Sequence, residues 1–260
     1  MRDPVLQERL PLLPWAEPRV ARLPGMVPCA AEDWIRADEA FAGQMAVRDW
    51  LIATRQPLVH ALLAEGRAAA AELYATVLDL LARRPGYVVG PDRVRRPDGV
   101  EVRLDPRFPL VTLGRLVQED LCLMEKQGEE SVLTGAILCF PASWTLGQKI
   151  GKPMTGIHRP VHHYDEGLAQ RVQRLFDMVR VGQPLERYNA LVYDDPTLHQ
   201  PRVEFDTRPY ATERLYMRSE RQCILRLPET QAVVFSIHSY IVPMSTFSAE
   251  QRAAMEAAGL

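Results

Sequence analysis

The chain has 260 residues, of which 47% are hydrophobic and 25% charged, a composition typical of a globular protein rather than a disordered or fibrous one. Its 31 Lys and Arg residues nearly balance 33 Asp and Glu residues, so no large field of one sign exists to attract nucleic acid or an anionic membrane. The apolar runs fall short of the ~20 residues of a membrane helix, and the first residues lack the apolar core of a secretory signal. We therefore expect a cytoplasmic protein without nucleic-acid or membrane partners.

The four cysteines are far apart in the sequence and form no Cys-x-x-Cys pair. They are Cys29, Cys122, Cys139 and Cys223. This spacing is typical of scattered, reduced thiols rather than of a disulfide framework or a zinc knuckle. It agrees with a cytoplasmic location.

The chain is expected to begin with an arm and continue as one domain. Six prolines fall within residues 1–30, and each fixes its φ angle and removes a backbone donor, so this segment is predicted to be extended. Residues 31–260 are then expected to form a single domain. Apolar residues at helical spacing predict two helices between residues 32 and 84, broken near Pro57.

Further along the chain, helical and strand patterns are mixed. A Pro97-Asp98-Gly99 turn between alternating apolar residues predicts a hairpin, and Ser248 with Gln251 is the signature of a capping box before a last helix. This hairpin is predicted over 88–104. The other predicted elements are helices over 110–124 and 166–179, and strands over 132–140, 185–193, 213–227 and 231–242. This order of elements indicates an α+β fold.

The segment 139–164 is the best candidate for a functional site. Three of the six histidines, His158, His162 and His163, fall within six residues of one another. Pro160 separates His158 from His162, which argues against a helical zinc site that needs both. A single histidine on a restrained loop, with cations nearby, suits haem, which needs one axial nitrogen and partners for its propionates. No nucleotide-binding glycine loop and no G-x-S-x-G motif occurs, so nothing favours a nucleotide enzyme or a serine hydrolase.

Several linked motifs then follow one order along residues 80–245. They are Leu116 to Met124, Cys139 to Trp144, Lys149 to Pro153, Ile157-His158, Pro160-Val161 with Tyr164, Arg187 with Asn189, Arg218 to Gln222, Arg226 to Pro228, and Ser239 to Pro243. Together they resemble the haem-binding alpha subunit of haem-dependent oxidative N-demethylases. The resemblance implies an elaborated PAS domain, with a PAS-like antiparallel sheet, added N-terminal helices and the proline-rich arm.

The resemblance also implies a reaction and partners. A bound haem b would activate O2, and a small N-methylated amine, dimethylamine-like, would be oxidised to the lower amine and formaldehyde. Electrons would come from NADPH through a separate reductase subunit that carries FMN and a 2Fe–2S cluster. A folate-binding subunit with tetrahydrofolate would take up the one-carbon unit. None of these partner cofactor motifs occurs in this chain.

Site residues follow from the same motifs. His158 is expected to be the iron ligand, with His162 and His163 as alternatives. The expected propionate and cofactor contacts are Lys152, Arg218, Arg221 and His238, and the expected polar lining for the amine is Glu220, Tyr164 and Tyr240. The chain departs from the family pattern at residues 160–164 and 237–240, so the resemblance leaves open which amine is the substrate. Two alternatives stay open: a non-catalytic PAS sensor of gas or redox state that binds haem, and an interaction subunit that has lost its cofactor.

Overall fold

The structure, a computed structural model, describes residues 3–17, 19, 25–159, 166–206 and 211–260. These residues contain six α-helices and two antiparallel sheets. The helices are α1 (Phe41–Val59), α2 (Arg67–Leu81), α3 (Pro109–Gly114), α4 (Met154–His158), α5 (Glu166–Met178) and α6 (Ala249–Ala257). None of these helices combines the length and the apolar character that crossing a membrane requires.

The large sheet has eight strands in the order β1-β8-β10-β11-β6-β7-β2, and β9 also pairs with β10. Its strands are β1 (Val27–Pro28), β2 (His60–Leu62), β6 (Asp120–Gln127), β7 (Glu130–Ile137), β8 (Leu185–Tyr188), β9 (Leu191–Tyr193), β10 (Tyr216–Arg226) and β11 (Val233–Pro243). A small sheet contains β3 (Val88–Val89), β4 (Arg93–Arg95) and β5 (Glu101–Arg103). The α+β class is thus confirmed.

The two faces of the large sheet are covered by different helices. On the face that we call the α1 face, Leu121, Leu123 and Cys223 pack with buried residues of α1, α2 and α3. On the opposite face, the α5 face, Cys122 and Ile224 pack with buried residues of α4 and α5. Because side chains alternate along a strand, neighbouring residues of β6 and β10 enter different cores.

Most of the predicted elements are present. Arg55 leaves the helical conformation, with φ −137° and ψ 28°, which bends α1 just before Pro57 as expected. The hairpin around Gly99, the helix over 166–178 and the capping box of α6 are confirmed. The described part of the first 30 residues contains turns, bends and the short strand β1 rather than one continuous extended segment.

One prediction is wrong. The helix expected over 110–124 ends at Gly114, and the second half of this segment is strand β6. The first five residues of β6 are all buried, because both faces of this central strand are covered by a core. A strand buried on both sides shows no polar alternation, so its apolar residues can be mistaken for a helical pattern.

A buried ion pair joins α1 to the centre of the large sheet. Arg48 Nη1 lies 2.6 Å from Asp120 Oδ1, and both side chains are at most 1% exposed. Arg48 also donates to the carbonyls of Gly114 and Gln118. Asp120 accepts hydrogen bonds from the backbone N–H groups of Cys139 and Phe140, at 2.7 and 2.8 Å. The pair thus fixes the start of β6 and the segment after β7.

Replacing Asp120 with Ala should destabilise the fold by about 3–5 kcal/mol, because it leaves the Arg48 guanidinium buried without a counter-charge. The free energy of unfolding in urea measures this loss. Asp79→Ala is the matched control, since the Asp79–Arg83 pair is 66–68% exposed and is expected to contribute only about 0.5 kcal/mol. If the two variants lose the same free energy of unfolding, the Arg48–Asp120 pair does not have this stabilising role.

His238 forms a second buried network, between the α1 face and the loop before α1. Its Nδ1 lies 2.9 Å from Glu119 Oε1, and its Nε2 lies 3.1 Å from Asp38 Oδ2. Burial alone lowers the pKa of His238, but the hydrogen bonds and charges of Asp38 and Glu119 outweigh it and raise this pKa to about 9. The imidazolium in turn outweighs the burial of Asp38 and lowers the pKa of that carboxyl group to about 2.

The raised pKa of His238 predicts a pH-dependent stability. The folded state binds the imidazole proton more tightly than the unfolded state, so the stabilisation is complete below pH ~6.5 and is lost as the pH rises towards 9. The pKa difference corresponds to about 3 kcal/mol. Urea unfolding between pH 6 and pH 9.5 measures it, with His238→Gln as the variant in which this loss should disappear. If the free energy of unfolding of His238→Gln falls with pH as steeply as that of the unmodified chain, the prediction is wrong.

Candidate functional site

The α5 face carries an apolar surface whose outer side chains are only partly buried. A buried layer of side chains from β6, β7, β10 and β11 lies against α4 and α5. Around this layer, partly exposed apolar side chains come from four different elements. They include Trp144, Ile150, Ile157, Val172, Leu175, Leu185 and Phe235. Such a surface can accept a flat apolar molecule.

His158 lies at the end of α4, beside this surface. The helix is short, begins after Pro153 and ends at His158, with Arg159 at its C-cap. The His158 Nδ1 is 2.9 Å from the carbonyl of Met154, one turn earlier. Burial lowers the pKa of His158, which favours the neutral imidazole at neutral pH. Neutral imidazole is the form that binds metals.

Two lysines near His158 share one carboxylate. Lys149 Nζ lies 2.8 Å from Glu204 Oε1, and Lys152 Nζ lies 3.1 Å from the same oxygen. Lys149 also donates to the carbonyl of Ile157, so it ties α4 to the loop before it. Lys149 is 5% exposed, whereas Lys152 is 40% exposed. The two ammonium groups thus share a single carboxylate.

A polar patch lies on the α5 face of β8 and β10. The Glu220 Oε2 atom accepts hydrogen bonds from Asn189 Nδ2 at 2.9 Å and Gln222 Nε2 at 3.0 Å. Arg187 lies opposite Gln222 in the β8–β10 register, and its Nε atom is buried without a hydrogen-bond partner among the described residues. Burial lowers the pKa of Arg187, and the charge of Glu220 opposes that effect.

Arg218 lies next to this patch but is fully buried. Its guanidinium donates to the carbonyls of Leu198 at 2.9 Å and Phe140 at 2.5 Å, and it lies 3.6 Å from Glu220 Oε1. These contacts hold the loops that follow β7 and β9 against the sheet. Arg218 therefore stabilises these two loops, besides placing a positive charge next to Glu220.

Three other predicted site residues lie on the opposite face. Tyr240 pairs with Ser219, and His238 pairs with Arg221, so these side chains alternate away from Glu220 and point to the α1 face. Arg221 binds Glu186, with Nη2 at 2.5 Å. Tyr240 stacks on Tyr188 at 6.5 Å between ring centroids. The predicted lining of Glu220 with Tyr240 is thus not brought together.

Tyr240 instead borders a cavity of about 670 Å³. The cavity lies between the first residues of the chain and the segment 33–39, and it is lined by polar side chains. They include Gln7, Arg9, Asp33, Arg36, Asp38 and Arg84. This polar, open space does not resemble the apolar surface beside His158.

Two groups of predicted site residues are therefore brought together. Lys152 is linked to the helix of His158 through Glu204 and Lys149. Glu220 lies beside Arg218. Tyr164 and the alternative ligands His162 and His163 lie outside the described residues. Arg187, Asn189 and Gln222 had no predicted role. The sequence signal for them was their place in the linked motifs, beside residues that were assigned a role.

A comparison with protein families agrees with the motifs. A family model described as haem-dependent oxidative N-demethylase, alpha subunit-like, matches residues 25–259. The match covers almost the whole chain, including both covering layers of helices and all strands of the large sheet. The family description points to a haem-dependent oxidoreductase that has more than one subunit. The chain belongs to the haem-dependent oxidative N-demethylase alpha-subunit-like family.

Proposed function

We propose that this chain binds haem b on the α5 face and catalyses the oxidative N-demethylation of a small N-methylated amine, dimethylamine-like, with O2 as co-substrate. The observation that carries the proposal is His158, a neutral half-buried imidazole beside a partly covered apolar surface, in a chain of a haem-dependent family. We also propose that the sheet with its β6–β7 hairpin beside β11 is a PAS-like sheet.

The apolar surface fits the faces of a porphyrin. Trp144, Ile157 and Phe235 are partly exposed and come from the loop after β7, from α4 and from β11. A large planar apolar molecule would cover them and gain about 25 cal/mol for each Å² of apolar surface removed from water. These side chains are the ones that a bound porphyrin would cover on this face.

His158 fits the task of a ligand to the haem iron. A histidine that donates its Nδ1–H to a carbonyl, here that of Met154, carries its lone pair on Nε2. Such a second hydrogen bond fixes the tautomer and the orientation of a metal-binding ring. Burial keeps the ring neutral, so iron does not have to displace a proton at neutral pH.

Two cations on this face can meet the propionates. Lys152 is the more exposed of the two lysines that share Glu204. The unpartnered Nε–H of Arg187 is a buried donor that costs free energy until an acceptor reaches it. A propionate carboxylate is such an acceptor, so we add Arg187 to the proposed contacts. Arg221 and His238 point to the other face and already have carboxylate partners.

Glu220 fits the task of holding an alkylammonium ion. Its side chain is 7% exposed, and Oε2 is held by two amide donors. Its Oε1 makes no hydrogen bond within the described part of the chain, and its contact with Arg218 is 3.6 Å long. An ammonium N–H can therefore bind to Oε1, which satisfies the need to pair a charge in a site of low dielectric.

The bound haem would supply the activation of O2. The overall reaction takes the amine, O2, two electrons and two protons, and gives the demethylated amine, formaldehyde and water. The protein residues would hold the amine at Glu220 and keep the His158 imidazole oriented through the carbonyl of Met154. We propose that NADPH provides the electrons through a separate subunit with FMN and a 2Fe–2S cluster. A folate-binding subunit would then take the one-carbon unit onto tetrahydrofolate.

The proposal is tested on the full chain reconstituted with haem, O2 and a chemical reductant. Formaldehyde release that depends on an N-methylated amine is the expected result. Haem binding without this release would instead identify a sensor of gas or redox state. Absence of a Soret band after reconstitution would identify an interaction subunit without a cofactor.

Replacing His158 with Ala should abolish the normal Soret position, because the iron loses its axial nitrogen. The absorption spectrum after haem reconstitution measures this. His60→Ala is the matched control. His60 is also half-buried, and burial also lowers its pKa. It lies on the edge strand β2 opposite Ile137, which packs on the α1 face, so its loss should leave the spectrum unchanged. An unchanged spectrum in His158→Ala would transfer the assignment to His162 or His163.

Replacing Glu220 with Gln should weaken the binding of an amine about ten-fold, which corresponds to ~1.4 kcal/mol for one charged contact. Amine-induced shifts of the haem spectrum measure the affinity. Tyr240→Phe is the control, because Tyr240 points to the α1 face and its loss of one hydroxyl should leave amine affinity unchanged. If Glu220→Gln keeps its haem and its amine affinity, the ammonium binds elsewhere.

A further inference from the structure

Three side chains that can bind metals meet at one end of the large sheet. Cys29 follows β1, Glu186 lies in β8 and Cys223 lies in β10. One ligand atom from each, the two sulfurs and a carboxylate oxygen, lie within 4.8 Å of one another. Among the described residues, this is the group whose ligand atoms converge closely enough to hold a metal ion.

The strand register explains this convergence. Cys223 lies opposite Glu186 in the β8–β10 ladder, and Glu186 lies opposite Val27 in the β1–β8 ladder. The N–H of Cys29 donates to the carbonyl of Pro184 at 3.0 Å, which holds the residue after β1 against the start of β8. The three ligands are therefore fixed by backbone hydrogen bonds rather than by flexible loops.

The charges around the three ligands favour a divalent cation. Arg221 is buried, and its Nη2 and Nε lie 2.5 and 2.6 Å from Glu186 Oε2. Without a metal, two neutral thiols and the Arg221–Glu186 pair have no net charge. With a metal, two thiolates and one carboxylate contribute −3, whereas Arg221 and a divalent cation contribute +3. Exchange of two protons for the cation thus leaves the buried charge at zero, which avoids the cost of an unpaired buried charge.

The two thiols already interact with each other. A hydrogen bond from Cys223 lowers the pKa of Cys29, and the same contact raises the pKa of Cys223. Cys29 is the half-buried member and Cys223 is buried. The thiolate is the form that binds a metal, so both thiols would lose their protons when an ion binds.

The site is also accessible. Cys29 lines a surface cavity of about 320 Å³. The other lining residues include Pro28, Met178, Val179, Gln183, Pro184 and Leu185. Of the three ligands, Cys29 is the one that lines this cavity, so the cavity offers an approach to the site from the Cys29 side.

We propose that Cys29, Cys223 and Glu186 form a site for a thiophilic divalent cation, with Zn²⁺ as the best match. Two sulfurs and one oxygen in a tetrahedral arrangement are ligands that Zn²⁺ accepts, whereas Mg²⁺ and Ca²⁺ require oxygen ligands. The bound ion would join the segment after β1 to the central strand β10. Glu220 points away from this site, to the other face, so the proposal is independent of haem and of the proposed reaction.

The test uses the full chain with its four thiols reduced. The protein is incubated with Zn²⁺, separated from free metal and analysed by inductively coupled plasma mass spectrometry. One Zn²⁺ per chain is the expected result, with two protons released per ion in a weakly buffered solution near neutral pH. Bound Zn²⁺ should also slow the reaction of Cys29 with a thiol reagent.

Variants separate this site from other zinc ligands. Cys29→Ser and Cys223→Ala should each lower Zn²⁺ affinity at least about ten-fold, as expected when a metal site loses part of its coordination. Cys139→Ala is the control, since Cys139 is also a buried thiol but packs elsewhere on the α1 face and should keep full binding.

Three results would overturn the proposal. They are the absence of stoichiometric Zn²⁺ in the unmodified chain, full Zn²⁺ affinity in Cys29→Ser, and loss of Zn²⁺ only in His158→Ala. If Cys223→Ala does not fold, Cys29→Ser still decides the question, because Cys29 is half-buried and its substitution leaves the core intact.

Discussion

The buried Arg48–Asp120 pair is the contact on which the architecture depends most. Its two charges are separated by 2.6 Å and have almost no access to water. Through its further hydrogen bonds, the pair joins α1, the segment after α3, the start of β6 and the backbone at residues 139 and 140. The loop that continues from residue 140 carries Trp144, Lys149 and Lys152 to the α5 face. The position of the proposed haem site is thus linked to the ion pair between α1 and the start of β6.

Successive side chains of the central strand β10 point to opposite faces of the sheet, and the two faces carry different groups of polar residues. Glu220 and Gln222 point to the α5 face, where the apolar surface and His158 lie. Arg221 and Cys223 point to the α1 face, where Arg221 meets Glu186 and Cys223 meets Cys29. Four consecutive residues therefore contribute to the proposed amine and haem site on one face and to the proposed metal site on the other. A one-residue shift in the register of β10 would exchange the two sets.

The sequence predicted the elements best where one face of an element is exposed. Helix α5 and the hairpin around Gly99 were found because polar and apolar residues alternate with a clear period. Strand β6 was missed because both of its faces are buried. Its identity depends on β7 and β11, which pair with it from either side. No pattern within residues 120–127 reports those partners.

The sequence by itself determined the α+β class, the family, and the candidate residues His158, Lys152 and Glu220, because these lie in linked local motifs. Only the tertiary structure decided which of the candidates share a face. It placed Tyr240 and His238 on the face opposite to Glu220. It also brought Cys29 close to Cys223, although the two residues are far apart in the sequence. The physical reason is that strand pairing sets which side chains meet. Register arises from long-range hydrogen bonds and from the burial of both faces, and neither leaves a signature in local spacing.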